Sequence, residues 1–135
     1  MAGRRGATKD YESSIEKMDR GMSRISTHVL DTAKGKPAAG VPVRLERQDS
    51  SGKWISLGSG ETDRDGRCAE LLPVGTALTE GVYRLTFDTA KYFSTCEVDG
   101  LYPEVEIVFR VRKGEMHFHI PLLLSPNGYT TYRGS

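Results

Sequence analysis

The sequence predicts an all-β protein, a two-sheet β-sandwich of about eight strands with one short helix. Three observations lead there. Apolar and polar residues alternate along several short runs, turn-forming pairs separate those runs, and a single segment between them lacks the alternation. Alternation with a period of two marks a strand that buries one face.

Residues 1–23 are rich in glycine, serine and charge and poor in large apolar groups, which predicts a flexible N-terminal extension, with a short helix near residues 14–20. The folded domain is expected over residues 24–135. Its first strand is placed at 24–31. In the next, at 41–48, Val41, Val43 and Leu45 alternate with Pro42, Arg44 and Glu46. Strands follow at 53–61, 67–72 and 82–88, where Tyr83, Leu85 and Phe87 alternate with Arg84, Thr86 and Asp88. Residues 89–96, TAKYFSTC, break the pattern and predict the short helix. Val105, Ile107, Phe109 and Val111 define a strand at 104–112, and further strands are expected at 115–124 and 129–134. Lys34-Gly35-Lys36-Pro37, Ser51-Gly52, Asp65-Gly66, Asp99-Gly100 and Pro126-Asn127-Gly128 supply the reversals.

With 135 residues the chain makes one domain, large enough to bury roughly two-thirds of its unfolded surface without metals or disulfide staples. Nineteen basic and 18 acidic residues give a net charge of +1, so no electrostatic footprint for nucleic acid or an anionic membrane is expected. No run approaches the ~20 apolar residues of a membrane span, and no apolar run follows the N-terminal charges as in a secretory signal. The expected location is the cytoplasm. Cys68 and Cys96 have no metal-binding spacing and are expected to be free thiols.

The chemistry concentrates near the end of the chain, in HFHIPLLLSPNGYTTYRGS. Parity places Met116, Phe118, Ile120, Leu122 and Leu124 on the buried face of their strand, and His117, His119, Pro121, Leu123 and Ser125 on the other. Paired histidines on an outward face are a solvated accident, a metal pair, or acid–base groups. The third histidine, His28, stands on the first strand. In an antiparallel sandwich the first and last strands can be neighbours, which would gather all three. Three histidines also fit a zinc site, with Asp31 as the one nearby carboxylate. In TDRDGR, Asp63 and Asp65 resemble the start of a calcium loop. Val74 occupies the twelfth position, where a bidentate glutamate is required, so the segment reads as a tight turn. That turn delivers Arg67, whose guanidinium can grip a carbonyl or carboxylate. Arg67 could also lower the pKa of the adjacent Cys68. No serine-nucleophile elbow, phosphate loop or dinucleotide fingerprint occurs.

Taken together, ISTHVLDTAKGKPAAGVPVRLE, TDRDGR and the terminal Tyr132-Arg133-Gly134-Ser135 resemble the transthyretin-like 5-hydroxyisourate hydrolases, from about residue 24 to the end. The resemblance implies a transthyretin-like (prealbumin-like) sandwich. It also implies hydrolysis of 5-hydroxyisourate to 2-oxo-4-hydroxy-4-carboxy-5-ureidoimidazoline in urate degradation, without cofactor or metal. A homotetramer, built as a dimer of dimers, would hold its sites in a channel between the dimers. Carried over by position, the site comprises His28, Arg67, His119 and Tyr132, with Arg133 and Ser135 from the ending and His117 beside them. His28 and His119 would share the base and proton-shuttle roles, Arg67 would hold carbonyl oxygens, and Tyr132 would contact the flat ring. Phe118 stands where tyrosine is common in that family. A non-catalytic carrier of a small ligand is the alternative reading.

Overall fold

In a computed structural model, residues 23–135 are described. The N-terminal extension, apart from Ser23, and the helix expected near residues 14–20 lie outside them. The described residues form two facing sheets and one short helix, as the alternation predicts. One sheet contains β1 (Arg24–Asp31), β2 (Lys36–Pro37), β5 (Arg67–Cys68), β8 (His117–Ser125) and β9 (Gly128–Thr131). The other runs in the order β4 (Trp54–Glu61), β3 (Pro42–Gln48), β6 (Gly81–Phe87), β7 (Val105–Val111). The inward positions of the alternating strands meet between the sheets. Ile25 and Val29 of β1 and Phe118, Ile120, Leu122 and Leu124 of β8 face a layer that includes Leu45, Leu85, Phe87 and Val105. Thr27, also inward, satisfies its hydroxyl on the Ile120 carbonyl at 2.6 Å, so its polar atom is not left bare in the core.

The helix α1 (Thr89–Thr95) begins where Asp88 caps it, the carboxylate accepting from the Lys91 N–H. Tyr92 and Phe93 face the core from α1, and the Tyr92 hydroxyl donates to Asp31 Oδ2 at 2.7 Å. The other Asp31 oxygen accepts the N–H groups of Ala33 and Lys34, which closes the turn after β1.

Three expectations are corrected. The strand expected over 67–72 ends after Cys68, because Leu71 and Leu72 are both buried and consecutive inward side chains cannot belong to a regular strand. Pro73 then prevents a ladder from resuming. The strand expected to reach residue 134 ends at Thr131. Finally, β1 does not lie against the last strand of an antiparallel sandwich. It runs parallel to β8, the penultimate strand, over its whole length, and β9 pairs with the far side of β8.

Candidate active site

The turn TDRDGR lays Arg67 beside His28. Asp63 Oδ1 accepts the N–H groups of Asp65 at 2.9 Å and of Arg67 at 3.0 Å, which winds the chain tightly on itself. Gly66 sits at φ +79°, and a β-carbon there would collide with the Val29 carbonyl oxygen, so only glycine fits. With the turn pressed this closely on β1, β5 pairs antiparallel with it in the register His28–Arg67, and the two side chains share one face. The same turn holds the histidine: its Nε2 lies 2.8 Å from the Asp65 carbonyl oxygen. A carbonyl only accepts, so Nε2 carries the hydrogen, and the neutral ring keeps its lone pair on Nδ1. Asp63 stays below the usual carboxylate range, first because it accepts the Arg67 N–H and further through the charges of Arg67 and His28.

His119 arrives from the other side of β1. The parallel register sets Ser26 opposite His119 and Arg24 opposite His117, so these four and His28 project from the same outward face. The Ser26 hydroxyl lies 2.8 Å from His119 Nδ1, and Nε2 has no partner among the described residues. Burial, then the nearby positive charges of His28 and Arg67, hold this imidazole below its ordinary pKa. The neutral form of His119 is therefore favoured, and its Nε2 is free among the described residues.

An open cavity of about 590 Å³ has Arg24, Ser26, Arg67, His117, His119 and Ser135 on its walls, and His28 stands outside that lining. That volume is in the range of small-molecule sites. His28 lies two positions from Ser26 on the same face, close enough for its charge to act on His119. The ending contributes unevenly. Gly134 donates its N–H to the His119 carbonyl at 2.7 Å, in the register that continues the β8–β9 ladder. Continuing that register sets Tyr132 opposite Pro121, which has no N–H to offer, and the ladder lapses there. The Thr131 hydroxyl takes the Pro121 carbonyl instead. The ending thus leaves strand geometry, and Arg133 borders both the histidine cavity and the neighbouring cleft of Tyr132. Arg133 lines the cavity, but its guanidinium is held by Glu115 Oε2 at 2.9 Å and the His117 carbonyl at 3.1 Å, and it stacks 4.1 Å over the Phe118 ring. Tyr132, 55% exposed, borders a different cleft with Ile107, Phe109, Phe118 and Ile120. Within a single chain it does not join the histidines.

Other candidate groups lie elsewhere. Asp31 is buried on the inward face, opposite in parity to His28, and its carboxylate is occupied by Tyr92 and two backbone N–H groups. Among the described residues, no group of three or more His, Cys, Asp or Glu is placed to hold a metal ion. Both cysteines are free thiols; Cys68 points inward, away from Arg67, and burial pushes its pKa up rather than down. Sequence reasoning missed Ser26, Arg24, Gly134 and Glu115. Ser26 and Arg24 share the strand parity of His28, but only the parallel register shows that they meet His119 and His117.

The family model described as "Transthyretin: HIUase/Transthyretin family" matches residues 25–134. The chain is 45% identical over 115 residues to the 5-hydroxyisourate hydrolase of Salmonella typhi, covering 85% of this chain and 83% of that protein. It is 46% identical over 114 residues to the Mus musculus 5-hydroxyisourate hydrolase, covering 84% and 96%. It also matches the uric acid degradation bifunctional protein TTL of Arabidopsis thaliana at 46% identity, spanning 37% of that longer protein. Among solved structures, Klebsiella pneumoniae 5-hydroxyisourate hydrolase superposes with a TM-score of 0.73 at 38% identity, covering 84% of this chain and 100% of that one. Sea bream transthyretin in complex with thyroxine superposes with a TM-score of 0.76 at 32% identity, covering 82% and 93%.

Proposed function

The chain belongs to the HIUase/Transthyretin family, and from that premise we propose that it hydrolyses 5-hydroxyisourate to 2-oxo-4-hydroxy-4-carboxy-5-ureidoimidazoline in urate degradation. The observation that carries this reading is the meeting of His28, Arg67 and His119 on one sheet face in a chain about 45% identical to named hydrolases. Hydrolysis of a ring acyl–nitrogen bond needs a base for water, a donor for the developing oxyanion, and a proton for the leaving nitrogen. His119, neutral and with Nε2 free, is the base. As it takes a proton from water, the hydroxide oxygen bonds to the acyl carbon and the carbonyl oxygen becomes anionic. Arg67 faces that oxygen and balances its charge. The carbon–nitrogen bond then breaks, the proton passes to the nitrogen, and a carboxylic acid is left, which releases its own proton to solvent as a carboxylate. His28, its tautomer set by the Asp65 carbonyl, relays the proton at Nδ1. His117, Arg133 and Ser135 border the substrate, Arg133 chiefly by holding the tail against β8.

The exposed Tyr132 and the outward Leu123 fit an assembly of copies, read here as a homotetramer in which Tyr132 completes the pocket of a neighbouring subunit. The cytoplasm is the proposed location. The alternative, a small-ligand carrier, is favoured by the overlay on transthyretin with thyroxine. A cavity wall of arginines and a neutral histidine favours the hydrolase. Urate oxidase generates 5-hydroxyisourate in a cuvette, and its ultraviolet decay is followed with and without the protein. Acceleration is expected, and an unchanged decay would leave the carrier reading.

A further inference from the structure

We propose that Ser26 and Gly134 together hold the His119 imidazole in the orientation that leaves Nε2 free for the cavity, which makes Ser26 a positioning residue for the hydrolysis. This rests on the reading of His119 as the base. The parallel β1–β8 register brings Ser26 opposite His119, and its hydroxyl lies 2.8 Å from Nδ1 with no second partner among the described residues. A hydroxyl both donates and accepts. Nδ1 therefore keeps its hydrogen bond through the whole cycle. The imidazolium donates Nδ1–H to Ser26 Oγ, and the neutral ring does the same in the tautomer that keeps its lone pair on Nε2.

Gly134 closes the other side. Its φ lies outside the left-handed region, so glycine is not demanded by backbone conformation. It is demanded by space: a β-carbon there would stand 2.7 Å from His119 Cδ2, nearer than a carbon atom can rest unless the imidazole moves. The ring is thus confined between a hydrogen bond at Nδ1 and the backbone of Gly134, while the Gly134 N–H is tied to the carbonyl of the same histidine. Gly134 is the residue that lets the tail lie against the base without displacing it.

Three full-length variants test this: Ser26→Ala, Ser26→Thr and Gly134→Ala. Each is measured for kcat and KM on enzymatically generated 5-hydroxyisourate, for thermal midpoint, and for the His119 ring-proton titration by NMR. In Ser26→Ala, kcat is expected to fall on the order of 10–100-fold, as for a misplaced reacting group, with KM nearly unchanged. The His119 resonance should titrate at lower pH than in the parent, because the cationic ring loses the stronger, charge-assisted bond. Ser26→Thr keeps the hydroxyl and should restore both. Gly134→Ala should lower kcat at an unchanged thermal midpoint. An unmoved titration in Ser26→Ala, whatever its kcat, overturns the proposal. Absence of hydrolysis by the parent chain would remove the functional reading alone, since the titration reports the ring contact without turnover.

Discussion

Among single residues, His119 carries the most chemistry because its surroundings act on it in one direction. Partial burial and the positive charges of His28 and Arg67 all disfavour the imidazolium. A base works while deprotonated, so activity should decline as pH falls through a pKa below the ordinary value of about 6.5. The acid limb of kcat/KM is therefore expected below that value, and it should move up in Arg67→Gln, where one repelling charge is gone. A pH–rate profile of the two proteins checks the sign, and a limb that moves down would contradict it. Replacing His119 or His28 by alanine should lower kcat by about 10²–10⁴-fold if each moves a proton. Near-normal turnover in either variant, read in the ultraviolet assay, would take that residue out of the mechanism. Arg133 shows how a matching motif position can have a different principal contact. Its guanidinium is spent on Glu115, the His117 carbonyl and the Phe118 ring, so its removal should loosen the tail before it touches substrate.

Short elements place these residues. The turn before β5 supplies Arg67 and also orients His28 through the Asp65 carbonyl. Gly66→Ala would force a β-carbon against the Val29 carbonyl oxygen at a positive φ. It should cost at least ~1 kcal/mol of stability and lower kcat/KM, because Arg67 and His28 shift together. Denaturant unfolding and steady-state kinetics measure the two effects, and a loss of stability with full activity would show that the turn does not set the site. The helix α1 has a different task. Tyr92 ties it to the buried end of β1, and Tyr92→Phe would leave Asp31 Oδ2 without its partner. A loss of about 1–3 kcal/mol is expected, with kcat unchanged because this contact lies on the inward face. Urea unfolding tests it, and a midpoint equal to the parent's would show that the bond contributes nothing net.

For the whole molecule, the proposed assembly is tested through Tyr132. The tyrosine borders a cleft apart from the one that holds the histidines, yet it belongs to the terminal motif of the family the chain resembles. If Tyr132 completes a neighbouring subunit's pocket, His119→Ala and Tyr132→Ala chains, each weakly active alone, should recover activity when unfolded and refolded together. A mixture no more active than its parts would place both residues in one subunit's site. Light scattering is expected to give a mass near four chains, and a stable, active monomer would exclude this arrangement.

The amino-acid sequence by itself determined the sandwich, the inward and outward faces of β8, the helix at TAKYFSTC and the turn before Arg67. Each of these is local: a period of two, a capping aspartate, or a glycine where the chain must reverse. It also marked His119 by its outward parity, His28 as the third histidine and Arg67 by the turn before it, and the resemblance to the family joined them into one site. Only the tertiary structure decided that β1 runs parallel to β8, and with that register came Ser26 on His119 and Arg24 beside His117. Strand partners separated by ninety residues are selected by how whole faces pack, and no local pattern encodes them. The same holds for Tyr132. Its departure from the β8–β9 ladder follows from Pro121 across it, a residue whose missing N–H matters only once the two strands have met.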